Sequence, residues 1–370
     1  MNVAIDLLWC RHGKIGGIES FIGNLLDGFV EANRDNINFI LFVSKDNVSS
    51  FLNYKKLFKI VVCPIKSEHV ARRCIYQELF LNKLLKKEHV DTLYEPTSYA
   101  PRIDKDINLF ANIHDIQVIH YPLNFSVIKR LWLRRCLKKT TNKANHIVCI
   151  SDWALNDLKS VYKIRGCASR IYIPIIEHKS KNIESNVLKK YNLEEGHYYY
   201  TVSSLFPHKN LITILKSIKK LNDSNVAYSY PLVISGINGR AQSEIQSFIS
   251  LNHLEKHIIF TGYLNDEDKE ELYSKTRLFL FPSVFEGFGM PPIEAMLNSA
   301  PVLVSKIPVL VEVTNGLANY VDNPLDENEW LLKMSGDFQK PDRKDIDILR
   351  KKYSAKIIAE EYIRIFKDYE

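Results

Sequence analysis

The sequence of 370 residues contains no apolar run approaching the roughly 18–20 residues that a membrane-crossing helix requires. Its opening apolar stretch, Val3 to Trp9, is interrupted by Asp6 and has no basic residues before it, so it reads as a strand and not as a secretory leader. The chain is therefore expected to carry neither a signal peptide nor a transmembrane helix. Cysteine is sparse as well. The six cysteines (Cys10, Cys63, Cys74, Cys136, Cys149 and Cys167) stand at irregular spacings, with no C-x-x-C pair and no histidine at metal-ligand spacing. Reduced thiols in a cytoplasmic protein fit that pattern, and a disulfide-stapled scaffold does not. Neither sign of charge dominates: 50 Lys and Arg face 43 Asp and Glu, a net charge of +7, and no nucleic-acid recognition motif accompanies the excess. Asp-x-Asp triplets occur at Asp104/Asp106, Asp266/Asp268 and Asp345/Asp347, but none follows a run that reads as a buried strand. Asp266 reads as the cap of a helix through Glu271 and Leu272. No catalytic metal and no other cofactor is expected. Repeats and low-complexity segments are absent.

Core material is abundant. With 46% apolar and 25% charged residues the chain is globular, and its length favours two domains. Strand-like and helix-like segments alternate throughout, the pattern of doubly wound α/β domains. Strands are expected at Val3 to Trp9, Asn38 to Val43, Ile60 to Cys63, Thr92 to Tyr94, Leu109 to Ile113 and His146 to Ile150. Between the first two, Ile18, Phe21, Ile22, Leu25, Leu26 and Phe29 recur at helical spacing. Ser151 caps a further helix. The polar stretch before Gly196 reads as a linker, after which a second series begins: Tyr198 to Ser204, Pro231 to Ser235, His257 to Thr261, Arg277 to Phe281 and Pro301 to Ser305. Leu211, Ile214, Leu215, Ile218 and Leu221 share one helix face between them. The expected organisation is a first domain over 1–174, a linker over 175–196, a second domain over 197–344, and a helical tail over 345–370 packing back on the first. Two such domains imply a central cleft, with ligands at the carboxyl ends of the strands.

The densest chemistry lies in FPSVFEGFGMPPIEAM, which starts at Phe281. A strand ends there, a loop carries Glu286, Gly287, Phe288 and Gly289, and Pro291 and Pro292 suit a first helical turn whose N–H groups are unpaired anyway. Glycines let the loop backbone approach a ligand, and a helix N-terminus favours an anion such as phosphate. With a helix starting near Pro292, Glu294 falls in its first turn and Glu286 stays in the loop. Carboxylates accept hydrogen bonds only, which suits hydroxyl-rich ligands such as the cis-diol of a ribose. Taken singly, Glu294 serves equally well to offset the helix dipole, and Glu286 as a solvated loop residue. The loop SSLFPHKNL after the Tyr198 strand places Lys209 beside a helix start, where a lysine can set a compact positive charge on a diphosphate, useful if that group is a leaving group. Neighbouring His208 is mostly neutral at pH 7 unless its pKa is raised. Gly16 and Gly17 form a turn after the first strand that does not make a G-x-G-x-x-G fingerprint. His114 and Asp115 follow the Leu109 strand, where a histidine is placed either to bond sugar hydroxyls or as a structural side chain. Lys129, Arg130, Arg134, Arg135, Lys138, Lys139 and Lys143 crowd around Trp132. They form either a solvated helix face or a dock for an anionic membrane or lipid pyrophosphate, to which each cation contributes about 1 kcal/mol.

These segments, in this order, resemble glycosyltransferase family 4, the retaining GT-B enzymes, over nearly the whole chain. Glu286 and Glu294 match its E-x7-E signature. The resemblance implies a GT-B fold and a catalytic set of Glu286, His114 and Lys209. It implies donor binding through Gly16, Gly17, His208, Lys209, Glu286, Gly287, Phe288, Gly289 and Glu294, with Glu286 on the donor sugar and Glu294 on the ribose. His114 and Asp115 are the acceptor-side candidates. His208 stands where the family usually has Arg. The implied reaction moves a hexosyl group, with mannosyl from GDP-mannose the first choice, from a nucleotide sugar to a hydroxyl of a lipid-linked glycan in O-antigen or capsular polysaccharide biosynthesis. The expected location is the cytoplasm, peripheral to the inner face of a bacterial inner membrane. The competing readings are a GT-B sugar-nucleotide epimerase and a non-catalytic basic binding protein.

Overall fold

The computed structural model describes residues 1–11, 16–33, 37–176, 185–224 and 230–370. The chain divides into two compact units. The first comprises Met1–His120, Phe125–Ile176 and Tyr353–Glu370, and the second Tyr121–Asn124 and Glu177–Lys352.

In the first unit β1 (Asn2–Asp6), β2 (Asn38–Ser44), β3 (Lys59–Cys63), β4 (Thr92–Glu95), β5 (Asn108–Ile113), β6 (His146–Cys149) and β7 (Cys167–Arg170) form one sheet in the order β3-β2-β1-β4-β5-β6-β7. Every neighbouring pair is parallel. Such a sheet is covered on both faces, which is why β2 reads as the near-continuous apolar run NFILFVS. The second unit repeats the plan with β8 (Tyr199–Val202), β9 (Leu232–Ser235), β10 (Ile258–Gly262), β11 (Leu278–Phe281), β12 (Val302–Ser305) and β13 (Asn319–Val321), ordered β10-β9-β8-β11-β12-β13. These pairs too are all parallel. In each sheet the winding reverses once, between β1 and β4 and between β8 and β11, and beyond the carboxyl ends of such a pair the connections diverge and leave a crevice.

The helices follow their apolar stripes. In the Gly17–Ala32 helix Phe21, Ile22, Leu25, Leu26 and Phe29 are buried, and in the Leu211–Asp223 helix Leu211, Ile214, Leu215, Ile218 and Leu221 are buried. Burying each such side chain contributes about 1.5–3 kcal/mol, which outweighs the weak propensity of the β-branched residues among them. Ser151 caps the Asp152–Val161 helix by accepting a hydrogen bond from the Ala154 N–H at 3.0 Å.

Several expectations are corrected. β1 stops at Asp6 because the chain turns there: the Cys10 amide donates to the Leu7 carbonyl, and the Trp9 indole donates to the Asp6 carbonyl at 2.9 Å. Asp266 is not a cap; the Asn265 side chain caps the Asp266–Lys275 helix by accepting from the Asp268 amide. The tail returning to the first unit begins at Tyr353 and not at Asp345, since the Arg343–Lys352 helix belongs to the second unit. Within the expected linker, 177–184 lie outside the described residues.

The returning Ala355–Lys367 helix buries Ile358, Ala359, Tyr362, Ile363, Ile365 and Phe366. It lies so close to the Gly17–Ala32 helix that a methyl group on Gly28 would stand 2.3 Å from the Ala355 carbonyl oxygen. Phe29 meets Tyr362 and Phe366 across this contact, and the Tyr362 hydroxyl exchanges hydrogen bonds with the buried Asn112 side chain on β5.

Candidate active site

The reversal between β8 and β11 sets the Lys209 loop and the Glu286 loop side by side. After β8 the chain makes a short 3-10 turn, Pro207–Lys209, and Asn210 then takes a left-handed conformation at φ 53° to start the Leu211–Asp223 helix. Asparagine tolerates that region, and here its side chain also ties loops together. Its amide donates to the carbonyls of Pro282 at 3.2 Å and Pro324 at 2.7 Å, while its oxygen accepts from Thr213 Oγ1 at 2.7 Å. The His208 carbonyl accepts from the Val284 amide and from Ser283 Oγ, which fastens the first loop to the second.

Lys209 Nζ lies 2.5 Å from Glu286 Oε1, with both side chains largely buried, and 5.7 Å from the centre of the Phe281 ring. The cation and the first carboxylate are therefore paired. The His208 imidazole is buried, and burial together with the Lys209 charge lowers its pKa to about 3. In the free protein it is therefore neutral near pH 7. Its Nδ1 lies 3.2 Å from the Asn124 amide, in the short segment that belongs to this unit.

The Met290–Leu297 helix starts two residues earlier than expected, at Met290, with Gly289 as its N-cap at φ 100°. A side chain there is doubly opposed, since a Cβ would also stand 2.6 Å from Leu310 Cδ2. Glu294 consequently lies in the second turn and not the first. Pro291 and Pro292 have no N–H to offer, so the helix end presents fewer donors to an anion than expected. Glu294 Oε2 accepts from the Tyr273 hydroxyl at 2.9 Å and lies 3.4 Å from Lys269 Nζ. Burial opposes the charge on Lys269, but Glu294 and Asp266 hold its pKa above the usual lysine value. Asp266 pairs with Lys269, and Asp268 accepts from Ser185 Oγ, so this Asp-x-Asp triplet is spent on local contacts.

In the first unit Gly16, at φ 75°, is the N-cap of the helix that Gly17 opens. His114 is half-buried just beyond β5. Its Nε2 lies 2.8 Å from the Pro96 carbonyl, which can only accept, so Nε2 carries the proton and Nδ1 is the acceptor. Phe21 packs edge-on against the ring at 5.2 Å, and burial lowers the imidazole pKa. Asp115 Oδ1 accepts from the Gln117 amide at 2.8 Å. The β1/β4 reversal holds two fully buried carboxyls that sequence reading passed over, Asp6 and Glu95. Asp6 accepts from Gln77 Nε2 and the Leu8 amide, and Glu95 Oε1 accepts from Thr97 Oγ1 at 2.6 Å, whereas Glu95 Oε2 has no hydrogen-bond partner among the described residues. Burial raises both carboxyl pKa values, that of Glu95 far above its usual range with Asp6 adding to the effect. Asn210, Lys269 and Tyr273 were missed for a common reason: each acts through a partner distant in sequence.

Comparison with known proteins bears on this arrangement. Residues 184–328 match the family described as Glycosyl transferases group 1, and residues 15–175 match Glycosyltransferase Family 4. The O-antigen chain mannosyltransferase RfbU of Salmonella typhimurium is 32% identical over 235 residues, which are 64% of this chain and 62% of that protein. O-antigen chain mannosyltransferase B of Escherichia coli is 28% identical over 248 residues, 65% of this chain and 63% of that one. The chain thus matches somewhat less than two thirds of the length of these relatives. Among solved structures, Anabaena HepE in complex with UDP and glucose shares the fold, with a TM-score of 0.72 at 16% identity over 100% of both chains. Matched in sequence through both units and in fold throughout, the chain belongs to the family 4 glycosyltransferases of the GT-B fold.

Proposed function

We propose that the chain is a retaining glycosyltransferase that moves a hexosyl group from a nucleotide diphosphate sugar to a hydroxyl of a lipid-linked glycan in O-antigen or capsular polysaccharide biosynthesis. The observation that carries the reading is the Lys209–Glu286 pair at the reversal of the second sheet. In the reaction the bond from the anomeric carbon to the diphosphate oxygen breaks, and the acceptor oxygen bonds that carbon from the same face. The acceptor proton passes to the departing phosphate. Lys209 and the amides of Gly287, Phe288 and Gly289 stabilise the charge developing on that phosphate, where fixed donors act most strongly. Glu286 receives the donor sugar and Glu294 the ribose. His114, through Nδ1, and Asp115 accept hydrogen bonds from sugar hydroxyls. No metal takes part. Mannose is the proposed sugar and GDP-mannose the proposed donor, a choice supported by the mannosyltransferase names of the two relatives.

The proposed site of action is the cytoplasmic face of the membrane. The Val127–Lys143 helix exposes Lys129, Arg134, Arg135, Lys138 and Lys143 together with Val127, Ile128 and Leu131, a combination suited to an anionic lipid surface.

Incubation with GDP-mannose, or with UDP-glucose, and a lipid-linked saccharide acceptor tests the reading. Transfer of mannose with its anomeric configuration kept, read by NMR of the product, is the expected result. Conversion of the donor to an epimer without acceptor would overturn it. So would salt-sensitive binding to DNA or RNA with no affinity for any nucleotide sugar.

A further inference from the structure

Glu294 is held by a neighbouring helix and not by its own. Tyr273 and Lys269, which both reach Glu294 Oε2, are four residues apart on the Asp266–Lys275 helix and so project from one face of it. Tyr273 cannot swing away. It is fully buried, with Tyr200 and Phe279 each packed against its ring at 5.2 Å between centroids. Lys269 is braced on its other side by Asp266 Oδ1 at 3.2 Å. No hydrogen bond among the described residues engages Glu294 Oε1, and the side chain is 17% exposed, so one carboxylate oxygen is pinned and the other is open to a ligand.

A carboxylate free to rotate meets a diol in many orientations, and a fixed one meets it in few, so less freedom is lost on binding. We infer that Lys269 and Tyr273 are positioning residues for ribose recognition: they fix Glu294 through Oε2 and leave Oε1 directed at the diol. The inference rests on the reading of Glu294 as the ribose ligand. A purely structural tie between two helices would instead affect the binding of every nucleotide alike.

Calorimetric titration of the full chain with GDP and UDP, each against its 2′,3′-dideoxy counterpart, separates these cases. Wild type is expected to prefer the ribose forms by about tenfold or more, and Glu294→Gln to abolish the preference. Tyr273→Phe and Lys269→Gln should each cut the preference by roughly 3- to 10-fold while leaving dideoxy affinity unchanged, since only the oriented contact is lost. If Glu294→Gln loses the preference but both other variants keep it, the inference is overturned and the ribose reading stands. If Glu294→Gln keeps the wild-type preference, the ribose reading fails and the inference with it. Should Tyr273→Phe fail to fold by circular dichroism, Lys269→Gln decides alone.

Discussion

Lys209 is asked to do two things. It neutralises Glu286 in the free protein, and in the proposed reaction it faces a diphosphate. Lys209→Ala removes both, leaving a largely buried carboxylate uncompensated beside the place where negative charge develops. The expected loss in turnover is about 10² to 10³-fold, the size seen when one preorganised donor is deleted. A transfer assay at saturating donor checks this, and near-normal turnover would remove Lys209 from the mechanism. At Glu95 the titration argument has a definite sign. The folded carboxyl holds its proton above the pH at which the unfolded one releases it, so the native state binds more protons and stability falls as pH rises from the ordinary carboxyl range toward the raised folded value. Glu95→Gln keeps the shape, removes the proton to be lost, and should flatten that fall. Thermal melts at pH 5 and pH 8 should coincide with wild type at the lower pH and show a gain of roughly 2–4 °C at the higher. Asp6, Thr97 and Arg73 act on this group, and Gln77 bonds Asp6, so the double variant with Asp6→Asn measures how far the two carboxyls share the effect.

At the scale of elements, the Glu286 loop owes its shape to Gly289. Alanine there must accept both a left-handed backbone and a methyl group pressed on Leu310, costing on the order of 1–3 kcal/mol and displacing the amides that precede it. The expected outcome for Gly289→Ala is weaker nucleotide diphosphate binding by calorimetry together with a lower melting temperature. Retained affinity would mean that the loop amides are not used. This element also shows where sequence reading succeeds and where it stops. The alternation of apolar runs and amphipathic stripes announced both sheets because burial on two faces and on one stripe writes itself into composition. β7 (CASR) and β13 (NYV) carried no such signal, being short edge strands that are only partly buried. The loop residues Glu286, Gly287 and Gly289 were legible from spacing and backbone chemistry. The helix start at Met290 was not, because proline is acceptable at any of the first positions and so does not mark one of them. Lys269 and Tyr273 were invisible for a different reason: a bond from one helix to the next leaves no period in either.

For the whole molecule, the basic and apolar face of the Val127–Lys143 helix predicts attachment to anionic vesicles. Flotation should recover the protein with phosphatidylglycerol liposomes at low salt and lose it progressively as salt is raised, since each cation contributes about 1 kcal/mol and is screened. The double substitution Ile128→Glu and Leu131→Glu should abolish recovery without changing turnover on a water-soluble acceptor. Equal flotation of that variant would deny the apolar side chains any role. The return of the Ala355–Lys367 helix to the first unit bears on how the protein is made. The hydrogen bonds between Asn112 and Tyr362 join residues 250 positions apart. A chain leaving the ribosome has all of β8 to β13 available while Phe29, Tyr94 and Phe110 still wait for the aromatic side chains that will cover them. Domains usually complete in the order of synthesis. Here the part translated first is the last to be finished, and until then its apolar face is open to chaperones.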